Sequence, residues 1–302
     1  MATHATAAPT APGESGGPSR YFVPHPSVWP FILTAGLALV VYGFAGYLEQ
    51  RTIPFKPMMI AGAVLAIYII FRWCRDVAME SEHGDYNLQV DRTFRWGMSW
   101  FIFSEVMFFA AFFGALFYTR MLSVPWLGGD GSRLLTNLIL WPHFEAAWPT
   151  NGPGHVGGDF DSMEAWGLPA INTALLITSS FTVTWAHHAL KENKRAKCIA
   201  FMWLTIILGA TFLACQAKEY IHAYTVQHMT LHSGVYGSTF FMLTGFHGFH
   251  VTLGTLMLII ITLRLMSGHF KPDRHFGFEG VAWYWHFVDV VWIGLFTFVY
   301  VL

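Results

Sequence analysis

Charge is scarce in this 302-residue chain: 12% of its residues are Asp, Glu, Lys or Arg, where a soluble domain carries about 25%. That shortage argues against a soluble globular enzyme, and 54% hydrophobic residues argue against disorder. Neither sign is in excess, since 17 basic and 18 acidic side chains give a net charge of -1. No basic patch for nucleic acid follows. Cysteine is rare as well. Cys74, Cys198 and Cys215 make no C-x-x-C pair and lie in or beside apolar runs, so they read as buried thiols, and neither a disulfide scaffold nor a cysteine-held zinc site is expected. There is no H-E-x-x-H, no nucleophile elbow and no phosphate-cradling glycine loop, and no catalytic residue is assigned. What the chain does have is apolar length. Mean hydropathy is +0.45 and 17% of residues are aromatic, as expected where the solvent is largely lipid and helices satisfy the backbone.

Residues 1–24 are rich in Ala, Pro, Gly, Ser and Thr and lack the apolar core of a signal peptide, so a flexible N-terminal tail is expected there. Residues 25–302 are expected to form an all-α domain of seven transmembrane helices, near 28–48, 58–76, 97–120, 169–190, 197–218, 235–265 and 281–301. With the N-terminus inside, twelve of the 17 Lys and Arg residues fall on the inner side. That bias predicts a cytoplasmic N-terminus and an outer C-terminus. The connection at 121–168, rich in Gly, Pro and Trp, reads either as an ordered outer cap or as a partly disordered insertion.

Ionisable groups inside spans are costly, so each is a functional hypothesis. Glu105 lies within the third span and Asp289 within the seventh. For Glu105 two readings stay open: a desolvated carboxyl that holds or relays a proton, and a protonated acid hydrogen-bonded to a neighbouring helix. Asp289 is read as structural, with His286 three residues away on the same helical face. The fifteen histidines raise haem or copper ligation, but only His247, His250 and His286 lie at suitable depth. At the inner end of the second span Trp73, Arg75, Asp76 and Glu80 cluster, and Arg264 ends the sixth. Such groups either clamp lipid phosphates or serve as interfacial anchors.

Four stretches carry a more specific signal: Ser104-Glu-Val-Met-Phe-Phe, Asn172-Thr through Thr182-Val-Thr-Trp-Ala-His-His-Ala-Leu, Tyr236-Gly-Ser-Thr-Phe-Phe-Met-Leu-Thr-Gly-Phe-His-Gly-Phe-His-Val, and His275-Phe-Gly-Phe-Glu-Gly-Val-Ala-Trp-Tyr-Trp-His-Phe-Val-Asp. In this order, and from His25 to Leu302, the chain resembles subunit III of the haem-copper cytochrome c oxidases.

The resemblance implies a two-helix pair and a five-helix bundle separated by a lipid-filled cleft. It implies a non-redox subunit of a proton-pumping oxidase, with cytochrome c as the substrate of the complex; the outer connection at 121–168 and the segment from Thr225 to His232, both longer than in short mitochondrial forms, point to the bacterial inner membrane. The haems and copper would then sit in partner subunits I and II, subunit I being the main contact, alongside possible small subunits. This chain would bind structural phospholipids and no metal, and would support complex stability and proton uptake by subunit I. Glu105 matches the intramembrane glutamate that carbodiimides modify in the family, and Trp73, Arg75, Asp76, Glu80 and Arg264 match positions of the lipid cleft. His247, His250, His286 and Asp289 would form a structural polar seam. The chain departs from W-W-R-D-x-x-R-E by reading Trp73-Cys74-Arg75-Asp76 through Met79-Glu80, losing one aromatic and one basic position. The equivalent subunit of a quinol oxidase or nitric oxide reductase is the alternative expectation.

Overall fold

A computed structural model of the chain describes residues 26–49, 55–84, 86, 88–272 and 274–302. The expected tail at 1–24 lies outside the described residues. Among those described there are nine α-helices and no strand. The chain divides into two compact units after Thr93, inside the first turns of the third helix.

The first unit is built on α1 (Trp29–Leu48) and α2 (Phe55–His83), packed side by side along their length. Proline in the first turn of α1 fits there because that turn has no use for its N–H. Glycine sets the closeness of the pair. A Cβ at Gly43 would lie 2.8 Å from the Met59 nitrogen, and one at Gly62 would lie 2.8 Å from the Gly36 carbonyl oxygen. This is the small-residue packing by which helices associate in lipid, where no hydrophobic drive separates helix from solvent. The outer faces stay apolar, with Phe31, Val41, Ile67 and Phe71 exposed.

In the second unit α3 (Leu88–Tyr118) continues through a π-turn, Thr119–Ser123, into α4 (Val124–Leu127), and α5 (Leu134–Leu140) follows. Then come α6 (Leu168–Lys191), α7 (Arg195–Thr225), α8 (Gly234–Met266) and α9 (Phe276–Leu295), which ends in a π-turn, Phe296–Val301. α6 packs on α7, α7 on α8, α8 on α9, and α9 back on α6, closing a ring of four. Trp285 and Trp292 of α9 are fully buried at its centre. Their indole N–H groups donate to Ser179 and Thr173 of α6, both at 2.9 Å. Gly254 makes room for the first of them, since a Cβ there would meet the Trp285 ring at 2.9 Å. α3 joins the ring through long aromatic side chains. Phe108 lies edge-on to Phe246, ring centres 5.0 Å apart, and Phe101 stacks on Tyr284.

Each of the seven expected spans falls on a helix of at least 20 residues, yet by length and composition only six are apolar enough to cross a membrane. α6 is the exception. Its composition is diluted by hydroxyl and amide groups, but Asn172 and Ser179 are fully buried while Ile171, Phe181 and Trp185 are exposed. The helix is polar inward and apolar outward, an arrangement suited to lipid. The connection at 121–168 is held by side-chain contacts. Asn137 Nδ2 donates to the carbonyls of Leu127, Trp141 and Phe144, Phe160 stacks on Tyr236, and Gln227 Nε2 donates to the Ser162 carbonyl.

Candidate functional site

Helical spacing puts Phe101, Glu105, Phe108, Phe109 and Phe112 on one face of α3. On α8, Phe246 and His250 are one turn apart and meet that face. Glu105 Oε2 and His250 Nε2 stand 3.0 Å apart, their side chains 22% and 9% exposed. His250 Nδ1 lies 2.6 Å from the Phe246 carbonyl oxygen, which can only accept. Nδ1 therefore carries a proton, and the hydrogen bond to Glu105 uses a second one. That proton resides on the carboxyl of a neutral pair or on the imidazole of an ion pair. Phe109 and Phe249 border the imidazole at 5.1 and 5.8 Å, which limits water at the pair. The arrangement can hold one mobile proton between two helices. The structure gives the hydrogen bond to a neighbouring helix that both readings of Glu105 share.

The remaining members of the polar seam are not joined to each other. His286 sits between Ser180 and Thr184 of α6, Nδ1 at 2.6 Å and Nε2 at 3.2 Å, and makes no hydrogen bond to Asp289. Hydroxyls on the facing helix reach the ring more directly than a carboxyl one turn along its own helix. Asp289 is 4% exposed, and neither carboxyl oxygen has a hydrogen-bond partner of standard geometry. His247 Nε2 donates to the Val288 carbonyl at 3.2 Å, and its ring packs on Trp292 at 5.0 Å. It is a packed core histidine.

On α2, Trp73, Asp76 and Glu80 share one face, and Arg75 is turned about 160° from Trp73. Asp76 accepts a hydrogen bond from the Trp29 indole N–H at 2.7 Å, and Arg72 lies over the same indole at 5.6 Å. Glu80 accepts from the Tyr86 hydroxyl at 2.6 Å. In the second unit the Arg264 guanidinium lies over the Phe270 ring at 4.9 Å.

Several partners escape the sequence. Ser180, Thr184, Trp29 and Tyr86 carry no spacing signal that ties them to distant acids or imidazoles. Glu219 was within reach: it is 2% exposed inside α7, but a span ended at Lys218 leaves it outside. Arg95 and Glu279, paired at 2.8 Å, join α3 to the first turn of α9. Beyond the end of α6, Lys194 lies 2.6 Å from the exposed Glu192 and holds its carboxyl below the usual range. Among the described residues, no three His, Cys, Asp or Glu side chains are grouped to hold a metal ion, and the three cysteines are free thiols.

Long apolar helices, a helix with its polar side turned inward, and a carboxyl-imidazole pair between helices define an all-helical integral membrane protein. Residues 19–302 match the family of cytochrome c oxidase subunit III. The chain is 38% identical over 281 residues to cytochrome c oxidase subunit 3 of Latimeria chalumnae, covering 93% of this chain and 96% of the relative. Identity to the protein of that name from Danio rerio is again 38%, with the same coverage. For Drosophila melanogaster it is 38% over 275 residues, 91% of this chain and 93% of the relative. The chain belongs to the cytochrome c oxidase subunit III family and is a membrane subunit of an oxidase complex.

Proposed function

We propose that this chain sustains proton uptake by the catalytic subunit of a proton-pumping oxidase and keeps the complex intact with bound phospholipid. The single observation that carries the reading is the Glu105–His250 pair, a proton-holding group enclosed by aromatic rings within the helices. The haems and copper are assigned to partner subunits I and II, with subunit I the main contact and cytochrome c the substrate of the complex. Trp73, Arg75, Asp76, Glu80 and Arg264 are proposed lipid contacts: their mix of aromatic and charged groups at helix ends suits phosphate head groups. Of the other polar positions, His247 and His286 hold neighbouring helices together through Val288, Ser180 and Thr184, with Asp289 buried near them.

α6 is proposed as a seventh span, supported by its apolar outer face. An odd number of spans with the basic residues inside puts the N-terminus inside and the C-terminus outside. The bacterial inner membrane is the proposed location on the strength of the long outer insertions. The relatives named above are all from animals and lend that point no support. The test is turnover of the intact oxidase carrying Glu105→Gln or His250→Gln. Either change removes the movable proton, so the expected result is normal haem content with a shortened active lifetime and slowed proton uptake. Unchanged lifetime and uptake in both variants would overturn the proposal.

A further inference from the structure

One close pair of nitrogen donors has no part in the function above. His187, near the end of α6, and His275, at the start of α9, point their Nε2 atoms at each other across 3.1 Å. We infer that His187 and His275 form a two-histidine site for a borderline divalent cation such as Zn2+, which would clip the end of α6 to the start of α9.

The geometry suits such an ion. Two imidazole nitrogens, each about 2.0–2.1 Å from a tetrahedral zinc, lie about 3.3 Å apart, so the observed separation needs a shift of only a few tenths of an ångström. His275 Nδ1 lies 3.3 Å from the Lys271 carbonyl oxygen, an acceptor that fixes the ring proton on Nδ1 and leaves the Nε2 lone pair free. A backbone carbonyl on the other ring nitrogen is the usual support of a metal-bound histidine. The rings are also held in place, with Phe278 against His187 at 5.6 Å between ring centres. Neither imidazole is sealed off, as both are half-buried.

The surrounding charges are mixed. Glu279 acts on His187 as an attractive carboxylate for a cation, while Lys191 and His188 oppose one. Two imidazoles leave the remaining coordination positions to water, so an open site is expected rather than a closed structural one. In the absence of metal the same contact is an N–H···N hydrogen bond from His187 to His275. On binding, His187 moves its proton from Nε2 to Nδ1, so the neutral pair loses no proton to solvent.

The test is equilibrium dialysis of the purified full chain in detergent against Zn2+ alone. The unsubstituted chain and His188→Gln should each bind one more ion than His187→Gln and His275→Gln. The two site variants should bind that ion at least about tenfold more weakly, the usual minimum for disturbing even an indirect metal support. Equal binding in all four proteins, or a loss in only one of the two site variants, overturns the inference. Should the site variants fail to fold, X-ray absorption at the zinc edge of the unsubstituted chain loaded with one equivalent decides. Two imidazole nitrogens at about 2.0–2.1 Å support the site, and one or none overturns it.

Discussion

Glu105 on α3 and His250 on α8 are bonded at 3.0 Å although 145 positions separate them in the chain. Because the Phe246 carbonyl claims the proton on His250 Nδ1, the contact to Glu105 uses one proton that either partner can hold. The pair links the two helices through that shared proton.

Glu105→Gln should leave assembly and haem content of the complex intact, because an amide N–H still donates to His250. Glu105→Ala leaves the imidazole without its partner and should destabilise by about 1–3 kcal/mol. The thermal midpoint of the purified complex separates the two. Loss of the complex with Gln would contradict a pair that is neutral at rest.

Arg264→Ala should lower the phospholipid retained through purification and shorten the active lifetime under turnover. Phosphorus analysis of the purified complex reads the first effect directly. An unchanged lipid content would reduce Arg264 to an anchor stacked on Phe270.

Gly254→Ala places a methyl group 2.9 Å from the buried Trp285 ring. Overpacking of this kind costs about 1–3 kcal/mol, so the unfolding midpoint of the chain in detergent should fall. A midpoint equal to that of the unsubstituted chain would mean that the ring of four helices yields more easily than its packing suggests.

Ser179→Ala removes the acceptor of the Trp285 indole N–H, and the donor has no water to turn to. The expected loss is about 1–3 kcal/mol, read by the same midpoint. Tryptophan emission should shift at the same time, since the indole changes its hydrogen bonding.

Lys194 depresses the Glu192 carboxyl, so their contribution to stability is full above the ordinary glutamate range and is lost as pH falls through the lowered value. Both groups are exposed and screened, so Glu192→Gln should leave the midpoint near neutral pH unchanged. A clear drop would mark the α6–α7 turn as more rigid than its surface position implies.

The long helices were legible because lipid demands apolar runs of a set length, and those runs stand out in any reading of the chain. α6 was legible as a span, yet its hydropathy is low, because the hydroxyls that serve Trp285, Trp292 and His286 are invisible as partners until the ring closes. Glu105 and Asp289 were identified from their cost in lipid, but which group meets each depends on helix rotation, which spacing along one helix does not reveal. The expected link between His286 and Asp289 failed on that point. Glu219 was overlooked for a simpler reason: the adjacent Lys218 looked like the end of a span, whereas α7 runs on to Thr225.

The most direct test of the account is a mild-detergent pull-down of the tagged chain, with visible spectra of the intact eluate and of the chain stripped of its partners. Haem bands confined to the intact eluate are the result expected of a non-redox subunit of an oxidase. Colour that stays with the stripped chain would show that its own histidines bind haem and would contradict the central claim.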